Sequence, residues 1–252
     1  MALYTIDYES GTAGQVIPSG VGQPMPGPSS MGQASTVTYD ATHVMHGSSA
    51  AKHAPAASNV SWISYGNNSN LSFHSTALAV RGYFYFTNTP GFAFVSFYDT
   101  AMQWVAGLGI NPSGYLYIRD SATNPLAVGT TSITVNRWLR AELYVTAAAS
   151  GATITAALYD GDSTTPIDTV TSSAASTTSQ ELVAVWLGKN NYNNNPNEHW
   201  SDSIAIDTAA TGFIGPVKTV VATPFRVWSG SAYVPVDAHV WDGSGYHKVS
   251  GE

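Results

Sequence analysis

The side chains that could carry acid–base chemistry are few and widely spaced in this sequence. Its five glutamates stand at positions 9, 142, 181, 198 and 252. Hydrolysis of a glycosidic bond needs a carboxylic acid and a carboxylate on either side of that bond, and no two of these glutamates are close enough along the chain to share one strand face. Glu142 lies on the same predicted face as Arg140, which favours an ion pair over catalysis. We therefore expect no catalytic residue and a protein that is not an enzyme.

Three aspartates are weak candidates for binding calcium. Asp160 and Asp162 flank Gly161 in a predicted turn, and Asp202 lies in a later strand. Carboxylate oxygens are hard ligands of the kind that Ca²⁺ prefers, although aspartates in turns more often bond to the backbone. Calcium thus stays open as a cofactor, and no other cofactor is expected.

Three histidines near the N-terminal side of the chain raise the alternative of a transition-metal site. His43 and His46 would point to opposite faces if they lay on a strand, and this argues against a shared ion. We interpret His43, His46 and His53 as scattered surface histidines.

The asparagine-rich segment 189–200 is the strongest candidate for ligand binding. Amide groups supply donors and acceptors for sugar hydroxyls, and aromatic rings supply flat apolar faces for the C–H patches of a sugar ring. The alternative is a polar loop in which asparagine tolerates left-handed backbone angles, with Trp200 in the core at the start of a strand. The candidate glycan-binding residues are Asn190, Asn191, Tyr192, Asn194, Asn195 and Trp200.

A ten-residue pattern, Val-Trp-x-Gly-Ser-x-Tyr-x-x-Val, occurs at 227–236 and again at 240–249. Each copy predicts a β-hairpin with turn residues at its centre, in which Trp228 faces Tyr233 and Trp241 faces Tyr246. A hairpin this short is marginal by itself in water. We therefore expect these four aromatic residues to make assembly contacts, with a stacking surface for sugar as the alternative.

Composition excludes several classes of partner. Charged residues make up only 10% of the chain, and 9 basic against 16 acidic residues give a formal net charge of −7. Two basic residues never stand side by side, so nucleic-acid binding is not expected. No apolar run approaches the length of a membrane span, and the absence of cysteine excludes disulfides and thiolate metal sites.

Alternating apolar residues predict many short strands and almost no helix. One stripe runs through Leu78, Val80, Gly82, Phe84 and Phe86, and others begin at Met102, Leu139 and Ile154. Turn signals rich in glycine, proline and asparagine separate these stripes, a pattern typical of a sandwich or barrel. At this length a two-sheet jelly roll is the better prediction.

The chain divides into a body and an appendage. Residues 1–216 form the predicted body, in which the Pro/Gly-rich segment 11–35 is interpreted as a loop or arm and not as an element. Residues 217–252 form the tandem hairpin appendage.

Four motifs in the body resemble those of concanavalin A-like jelly rolls, particularly the laminin-G-like branch. They are the segment 37–52 with its Gly-Ser, the strand Gly-Tyr-Leu-Tyr-Ile-Arg at 114–119, the segment Asn-Arg-Trp-Leu-Arg at 136–140, and Trp-Ser-Asp-Ser-Ile-Ala-Ile at 200–206. The resemblance implies an all-β fold: a two-sheet antiparallel jelly-roll sandwich with a small C-terminal β-hairpin appendage. Laminarinase-type members of the fold carry Glu-x-Asp-x-x-Glu on one strand, and this chain lacks that spacing.

The terminal repeats resemble those that end virion proteins, chiefly minor tail proteins, of phages that infect actinobacteria. This resemblance implies a non-enzymatic structural protein on the virion exterior, either a minor tail protein or a capsid decoration protein. Expected partners are other virion proteins, further copies of this chain in a trimer, and a host-surface glycan. No signal peptide is visible, which fits release by lysis, while a cytoplasmic protein stays open. A dedicated carbohydrate-binding adsorption module and a polysaccharide depolymerase are the alternatives.

Overall fold

The structure is a computed structural model of the chain, and it divides into two compact units, residues 1–216 and 217–252. The described residues are 3–18, 30–31, 37–55, 60–66, 73–120, 125–148, 151–175, 181–189, 197–217, 226–228, 233–235, 239–241 and 246–248. Within them every regular element is a strand, and no helix long and apolar enough to cross a membrane occurs.

The first unit is built from fifteen described strands in two antiparallel sheets. The strands are β1 (Leu3–Ile6), β2 (Ser30–Met31), β3 (Val37–Asp40), β4 (Ala50–His53), β5 (Ser61–Gly66), β6 (Ala77–Phe86), β7 (Phe92–Tyr98), β8 (Trp104–Ile110), β9 (Tyr115–Asp120), β10 (Ala127–Ser132), β11 (Trp138–Thr146), β12 (Ala152–Asp160), β13 (Pro166–Ala175), β14 (Ala184–Lys189) and β15 (His199–Asp207). The larger sheet has the order β13-β12-β11-β6-β15-β4-β3, with β1 also paired to β15, and the smaller has the order β10-β9-β8-β7-β14-β5-β2. This is the predicted two-sheet antiparallel sandwich.

The core lies between the sheets because successive side chains on a strand point to opposite faces. Leu78, Val80, Phe84 and Phe86 of β6 all belong to the core. So do Leu139, Ala141, Leu143 and Val145 of β11, as their period-2 spacing predicts. Glycine at position 82 of this face leaves room for neighbours, since a Cβ there would stand 2.7 Å from the Phe84 ring.

Two irregularities change which residues face the core. The pairing of β7 with β8 shifts between Phe97 and Tyr98, so that Phe97 is opposite Ala106 and Tyr98 is opposite Trp104. Val105 is therefore in the core and Trp104 is not. The sequence pattern had placed Trp104 on the core stripe of β8, and that prediction was wrong because a bulge inverts the alternation at this point.

The second irregularity lies in β15, where the register shifts between Asp202 and Ala205. Ser203 takes a positive φ of 48° there, which is unusual for a residue with a side chain. Ile204, within the shift, and Ile206, beyond it, both belong to the core.

Segments predicted as single units are subdivided. The motif 37–52 is two strands, β3 and β4, which pair antiparallel around a loop at 41–49. The segment 11–35 contains a two-residue strand, β2, paired to β5. The prediction that this segment holds no element was therefore wrong at residues 30–31, because backbone pairing at a sheet edge needs no apolar side-chain pattern.

The second unit contains two hairpins. The strands β16 (Arg226–Trp228) and β17 (Tyr233–Pro235) form one two-stranded sheet, and β18 (His239–Trp241) and β19 (Tyr246–Lys248) form the other. Trp228 is directly opposite Tyr233, and Trp241 is opposite Tyr246. The cross-strand pairs predicted from the repeat are thus confirmed.

Candidate functional site

Most of the asparagine-rich glycan candidate lies outside the described residues. Asn190, Asn191, Tyr192, Asn194 and Asn195 are all in the undescribed stretch 190–196. Their role in binding a glycan stays a prediction. Trp200 is the one candidate of this group that can be placed.

Trp200 lies on the outer face of the larger sheet and is covered. Only 3% of it is exposed. The His43 ring stacks on it with centroids 3.9 Å apart, and the Tyr85 ring meets it edge-on at 5.8 Å. The Lys52 ammonium lies 5.4 Å from the ring centroid. A covered ring offers no face to a sugar, so the assignment of Trp200 to a glycan site is corrected. The alternative, in which Trp200 is a buried residue at the start of its strand, is confirmed.

The histidines are not scattered on the surface. His43 and His46 lie in the loop 41–49 rather than on a strand, and both contact the same outer face, where His43 meets Trp200 and His46 meets Tyr83 edge-on at 4.8 Å. His53 is fully buried and stacks on His199, with centroids 4.6 Å apart and planes 7° from parallel. The interpretation from the sequence was wrong because it assumed that residues 43–46 form a strand.

The three calcium candidates are each engaged by protein groups. Asp160 forms an ion pair of 2.8 Å with Arg137. One Asp202 oxygen accepts the backbone N–H groups of Met45 at 2.8 Å and His46 at 3.0 Å. Burial raises the pKa of Asp202, although those two N–H groups oppose the shift. Among the described residues, no cluster of three or more ionisable groups has the arrangement of a metal site.

His46 connects Ser203 to Asp162. Its Nδ1 is 3.0 Å from Ser203 Oγ, and its Nε2 is 3.0 Å from Asp162 Oδ2. Burial raises the pKa of Asp162, but hydrogen bonds from the Tyr83 hydroxyl and from His46 outweigh it and lower that pKa overall. The two contacts of the His46 ring hold the loop 41–49 against β15 and against the turn after β12.

The order Ser–His–Asp is also that of a hydrolase triad, but two features differ. Asp162 is 42% exposed in its side chain, whereas the orienting carboxylate of a triad is buried. Ser203 Oγ also lies 3.3 Å from the carboxylate of Asp202, so its proton has a second acceptor. We interpret the network as a structural fastening of the loop.

The glutamates of the described chain are engaged by protein donors. Arg140 Nε donates to Glu142 Oε1 at 2.9 Å, and Gly215 N donates to Glu142 Oε2 at 2.9 Å. Both side chains of this ion pair are 1% exposed, so the predicted pairing with Arg140 is confirmed. The other described partnerships are Glu9 with Ser48, Glu181 with His74, and Glu198 with Lys52.

A row of aromatic side chains crosses the outer face of the smaller sheet. Trp62 of β5 stacks on Trp186 of β14, with centroids 3.9 Å apart and planes 17° from parallel. Tyr98 of β7 follows at 4.3 Å from Trp186, and Trp104 of β8 at 6.2 Å from Tyr98. We call Trp62, Tyr98, Trp104 and Trp186 the aromatic row. It crosses four adjacent strands diagonally, since Trp62 is opposite Gly188 and Tyr98 is opposite Ala184.

Arg119 of β9 ends the row. Its guanidinium carbon lies 3.7 Å from the centroid of the Trp104 ring, a close cation–π contact. Gly107 makes space for that ring, because a Cβ at 107 would stand 2.5 Å from its Cζ2 atom. The bulge in β8 thus turns Trp104 to the outer face. The absence of a side chain at Gly107 allows the Trp104 ring to pack against the sheet.

Small residues lie beneath the rings. Ser64 and Ser96 are directly opposite Trp186 on the two neighbouring strands. They are 2% and 0% exposed, although they point to the outer face. The outer face is thus covered at both serines, on either side of Trp186.

No pattern within a single strand predicts this row. Its members are spread over 125 positions of sequence, and strand pairing alone brings them together. The alternation Trp62-Ile63-Ser64-Tyr65 in β5 carried a usable signal, since Ile63 and Tyr65 are in the core and Trp62 is not.

Comparison with known proteins concerns the fold alone. No protein-family model matches the sequence, and no curated protein matches it. Among solved structures, a protein of unknown function from Shewanella oneidensis MR-1 overlaps with a TM-score of 0.53 and 13% identity, covering 81% of this chain and 84% of that one. The exoplasmic/lumenal domain of VIP36 in metal-free form gives 0.48 and 9%, over 83% and 93% of the two chains. Peanut lectin gives 0.47 and 8%, over 84% and 100%.

The body is an all-β, two-sheet antiparallel sandwich. The sheet orders and the match that covers four fifths of the chain agree on this point. At such identities the likeness transfers no ligand or activity.

Proposed function

We propose that this chain is a non-enzymatic structural protein on the exterior of a bacteriophage virion, either a minor tail protein or a capsid decoration protein. The sandwich is the displayed body, and the tandem hairpins attach it to other virion proteins. The protein works as a homo-oligomer, with a trimer as the expected state.

The duplicated hairpins carry this proposal. Each has three described residues per strand, and its two strands pair with one another. Two-stranded ribbons of this length are marginal in water unless they pack on another surface. Two nearly identical hairpins, each with an aromatic pair opposite one another in register, are suited to making the same contact twice with a partner protein.

The non-enzymatic part rests on the carboxylates. Glu142 is fully buried, and it has one oxygen on Arg140 and the other on Gly215 N–H. A glycosidase needs two carboxyl groups facing one bond, and both oxygens of this one are occupied. A depolymerase therefore has little support.

A dedicated carbohydrate-binding adsorption module is the second candidate function. The aromatic row favours it, because partly exposed indoles on a sheet face are suited to apolar sugar surfaces. The two functions are compatible if the displayed body also adheres to the host.

Particle incorporation tests the structural role. Phage particles encoding the double variant Trp228→Ala/Trp241→Ala should assemble with little or none of this chain, while the variant stays soluble and folded in the lysate. Mass spectrometry of purified particles measures the amount, and Trp138→Ala, a tryptophan removed from the body, is the control. Full incorporation of the double variant would show that the hairpins are not the attachment device, and absence of the wild-type chain from particles would refute the virion role.

Two assays address the enzymatic alternatives. Purified protein incubated with host-wall polysaccharide should release no reducing ends. A fluorophosphonate probe should label the protein no more than it labels the Ser203→Ala variant. Labelling that depends on Ser203 would overturn the non-enzymatic proposal.

A further inference from the structure

We propose that one end of the sandwich is closed by an acid-sensitive seal, which opens locally while the rest of the body stays folded. The seal consists of His53, Ser61, Lys189 and His199, and all four side chains are buried. This inference goes beyond the proposed function and does not depend on it, because the seal is a property of the chain itself.

The four residues of the seal lie where strands begin or end. His53 is the last residue of β4 and His199 is the first of β15, and the two are directly opposite one another in the larger sheet. Lys189 is the last residue of β14 and Ser61 is the first of β5, and these two are opposite one another in the smaller sheet. A Cβ added at Gly188 would stand 2.7 Å from His53 Nδ1 and 2.5 Å from Ser61 O. His53 therefore reaches across to the smaller sheet, and the seal joins the two sheets at this end.

Polar atoms of the seal are left without hydrogen bonds. His199 Nε2 and Ser61 Oγ are both buried and have no hydrogen-bond partner. The other ring nitrogen of His199 lies 3.1 Å from Asn197 O, and His53 Nε2 lies 3.0 Å from Ser201 Oγ. Burial of a polar atom without a partner is unfavourable, and the cost disappears when water reaches the atom. Hydration therefore favours opening at this end more than it does in the apolar core.

The end of β4 is held by few backbone pairs. β4 pairs with β15 over three residues, from Ala51 to His53, whereas β11 pairs with β6 over nine. Further along the same hairpin, the loop 41–49 is fastened to Asp202 through the N–H groups of Met45 and His46. Local openings involve the segments with the fewest stabilising contacts. Separation of residues 51–53 from β15 is therefore enough to expose both imidazole rings to water.

The charged and titratable groups inside the seal favour neutral histidines. Burial lowers the pKa of His199 to about 4, and the charge of Lys189 acts in the same direction. Burial, together with the charge of His199, holds the pKa of His53 well below its usual range. Burial also lowers the pKa of Lys189. Protonation of either ring thus places a further positive charge in a buried site.

The groups around the seal do not reverse this preference. On the core side, burial raises the pKa values of Tyr8 and Tyr65, so both hydroxyls stay neutral. The rings of Phe86 and Phe92, which carry no charge, flank His199 at 5.9 and 5.4 Å. On the outer side, Glu198 is 49% exposed and forms an ion pair with Lys52. Its carboxylate is therefore already paired with a cation.

The sign of the pH dependence follows from these pKa values. A group whose pKa is lower in the closed state binds its proton more readily in the open state, so acid favours opening. The seal should be closed above about pH 6.5 and open increasingly toward about pH 4. With a closed-state pKa of about 4, His199 alone makes opening about twentyfold more frequent at pH 5 than at pH 7. His53 increases this factor further.

Native-state hydrogen exchange of the full chain in low urea tests the proposal. Amides of residues 51–53 and 199–201 should exchange through an opening that low urea does not change. After correction for the intrinsic exchange rate, this opening should be at least about twentyfold more frequent at pH 5 than at pH 7. Amides of β11 should exchange only through a urea-sensitive opening, because their exposure requires the body to unfold.

Variants assign the pH response to the histidines. His199→Phe, which places an apolar ring beside Phe86 and Phe92, should reduce the response about twentyfold. His53→Gln keeps a hydrogen-bonding group toward Ser201 and should also reduce it, so the test stays valid if the first variant does not fold. His74→Gln is the matched control, since the His74 side chain is 59% exposed and pairs with Glu181. It should keep the full response.

Three results would overturn the seal. The first is an equal urea dependence in both sets of amides, which would mean that this end opens only when the whole body unfolds. The second is an opening of the wild type that does not change with pH. The third is an unchanged pH response in both His199→Phe and His53→Gln. All three measurements use the purified chain, so failure of this inference is distinguishable from failure of the virion role.

Discussion

At the scale of single residues, the stability of the body depends on charges that are held away from water. Arg140 and Glu142 are both 1% exposed, and Glu142 also accepts the backbone N–H of Gly215. Arg140 in turn lies 3.9 Å from the Tyr159 ring centroid. Breaking such a pair leaves one buried charge without a partner, which is far more costly than losing an exposed pair.

Glu142→Gln should therefore lower the free energy of unfolding by about 3–5 kcal/mol, because it strands the Arg140 guanidinium. Urea denaturation measures the change. Glu198→Gln is the matched control: its pair with Lys52 is 49% exposed on the glutamate side, and its loss should cost less than about 1 kcal/mol. Equal losses in the two variants would contradict the importance assigned to burial.

The stacked His53 and His199 pair makes the body sensitive to acid. Burial lowers the pKa of His199 to about 4, and burial together with the charge of His199 holds the pKa of His53 well below its usual range. Lys189, which is buried nearby, further disfavours a proton on His199. Between pH 6.5 and 4 these two histidines bind protons in the unfolded chain but stay largely neutral in the folded chain.

Stability should thus be full above pH 6.5 and fall as the pH drops toward 4, by on the order of 3 kcal/mol for His199 alone. Asp202, whose pKa is raised by burial, contributes in the opposite direction, because its carboxyl group binds a proton more readily in the folded chain than in the unfolded one. Thermal unfolding of wild type and His199→Gln across this range measures the slope. A slope that is the same in both proteins would contradict the assignment to His199.

At the scale of elements, the sandwich protects its edge strands with single side chains. β10 is the edge of the smaller sheet, and Asp168 of β13, the edge of the larger, reaches across to it. One Asp168 oxygen accepts the N–H groups of Thr130 at 2.7 Å and Thr131 at 2.8 Å. These are backbone donors of an edge strand, which would otherwise be open to pairing with another chain.

Asp168→Ala should expose those two donors and make the protein self-associate. Amide hydrogen exchange at Thr130 and Thr131 should speed up at least tenfold, and light scattering should show aggregation on warming. Asp160→Ala, which removes a 57% exposed aspartate side chain that pairs with Arg137, is the control and should change neither. Unaltered exchange in Asp168→Ala would refute the role given to this carboxylate.

At the scale of the whole molecule, the body has a core of its own. The core residues come from both sheets and from strands throughout residues 3–206. The segment before the second unit is fastened within the body, since Arg81 Nη1 donates to Gly215 O at 3.2 Å and Glu142 accepts from Gly215 N. The body should therefore fold without the hairpins.

A chain ending at residue 216 should melt within about 2 °C of the full chain, which for a body of this size corresponds to less than about 1 kcal/mol. Differential scanning calorimetry gives both values. A loss of more than about 5 °C would show that residues 217–252 support the body.

The sequence by itself determined the class of fold. Period-2 stripes such as Leu78 to Phe86 specified which face of a strand is buried, because alternation is a local property of an extended chain. The register of each hairpin is likewise a local property, because the turn sets which residues pair. In the first repeat the turn places Trp228 opposite Tyr233. The buried Arg140–Glu142 pair could be predicted for the same reason, because residues two apart on a strand share a face.

Only the tertiary structure decided which distant residues meet. The aromatic row joins four strands that are far apart in sequence, and a bulge that no local signal marks turns Trp104 outward. His43 and His46 share one face because a loop, not a strand, carries them, and Trp200 is covered by that same loop. Strand order and register depend on the free energy of the whole packed core, and a candidate site built across strands cannot be derived from the pattern within any one of them.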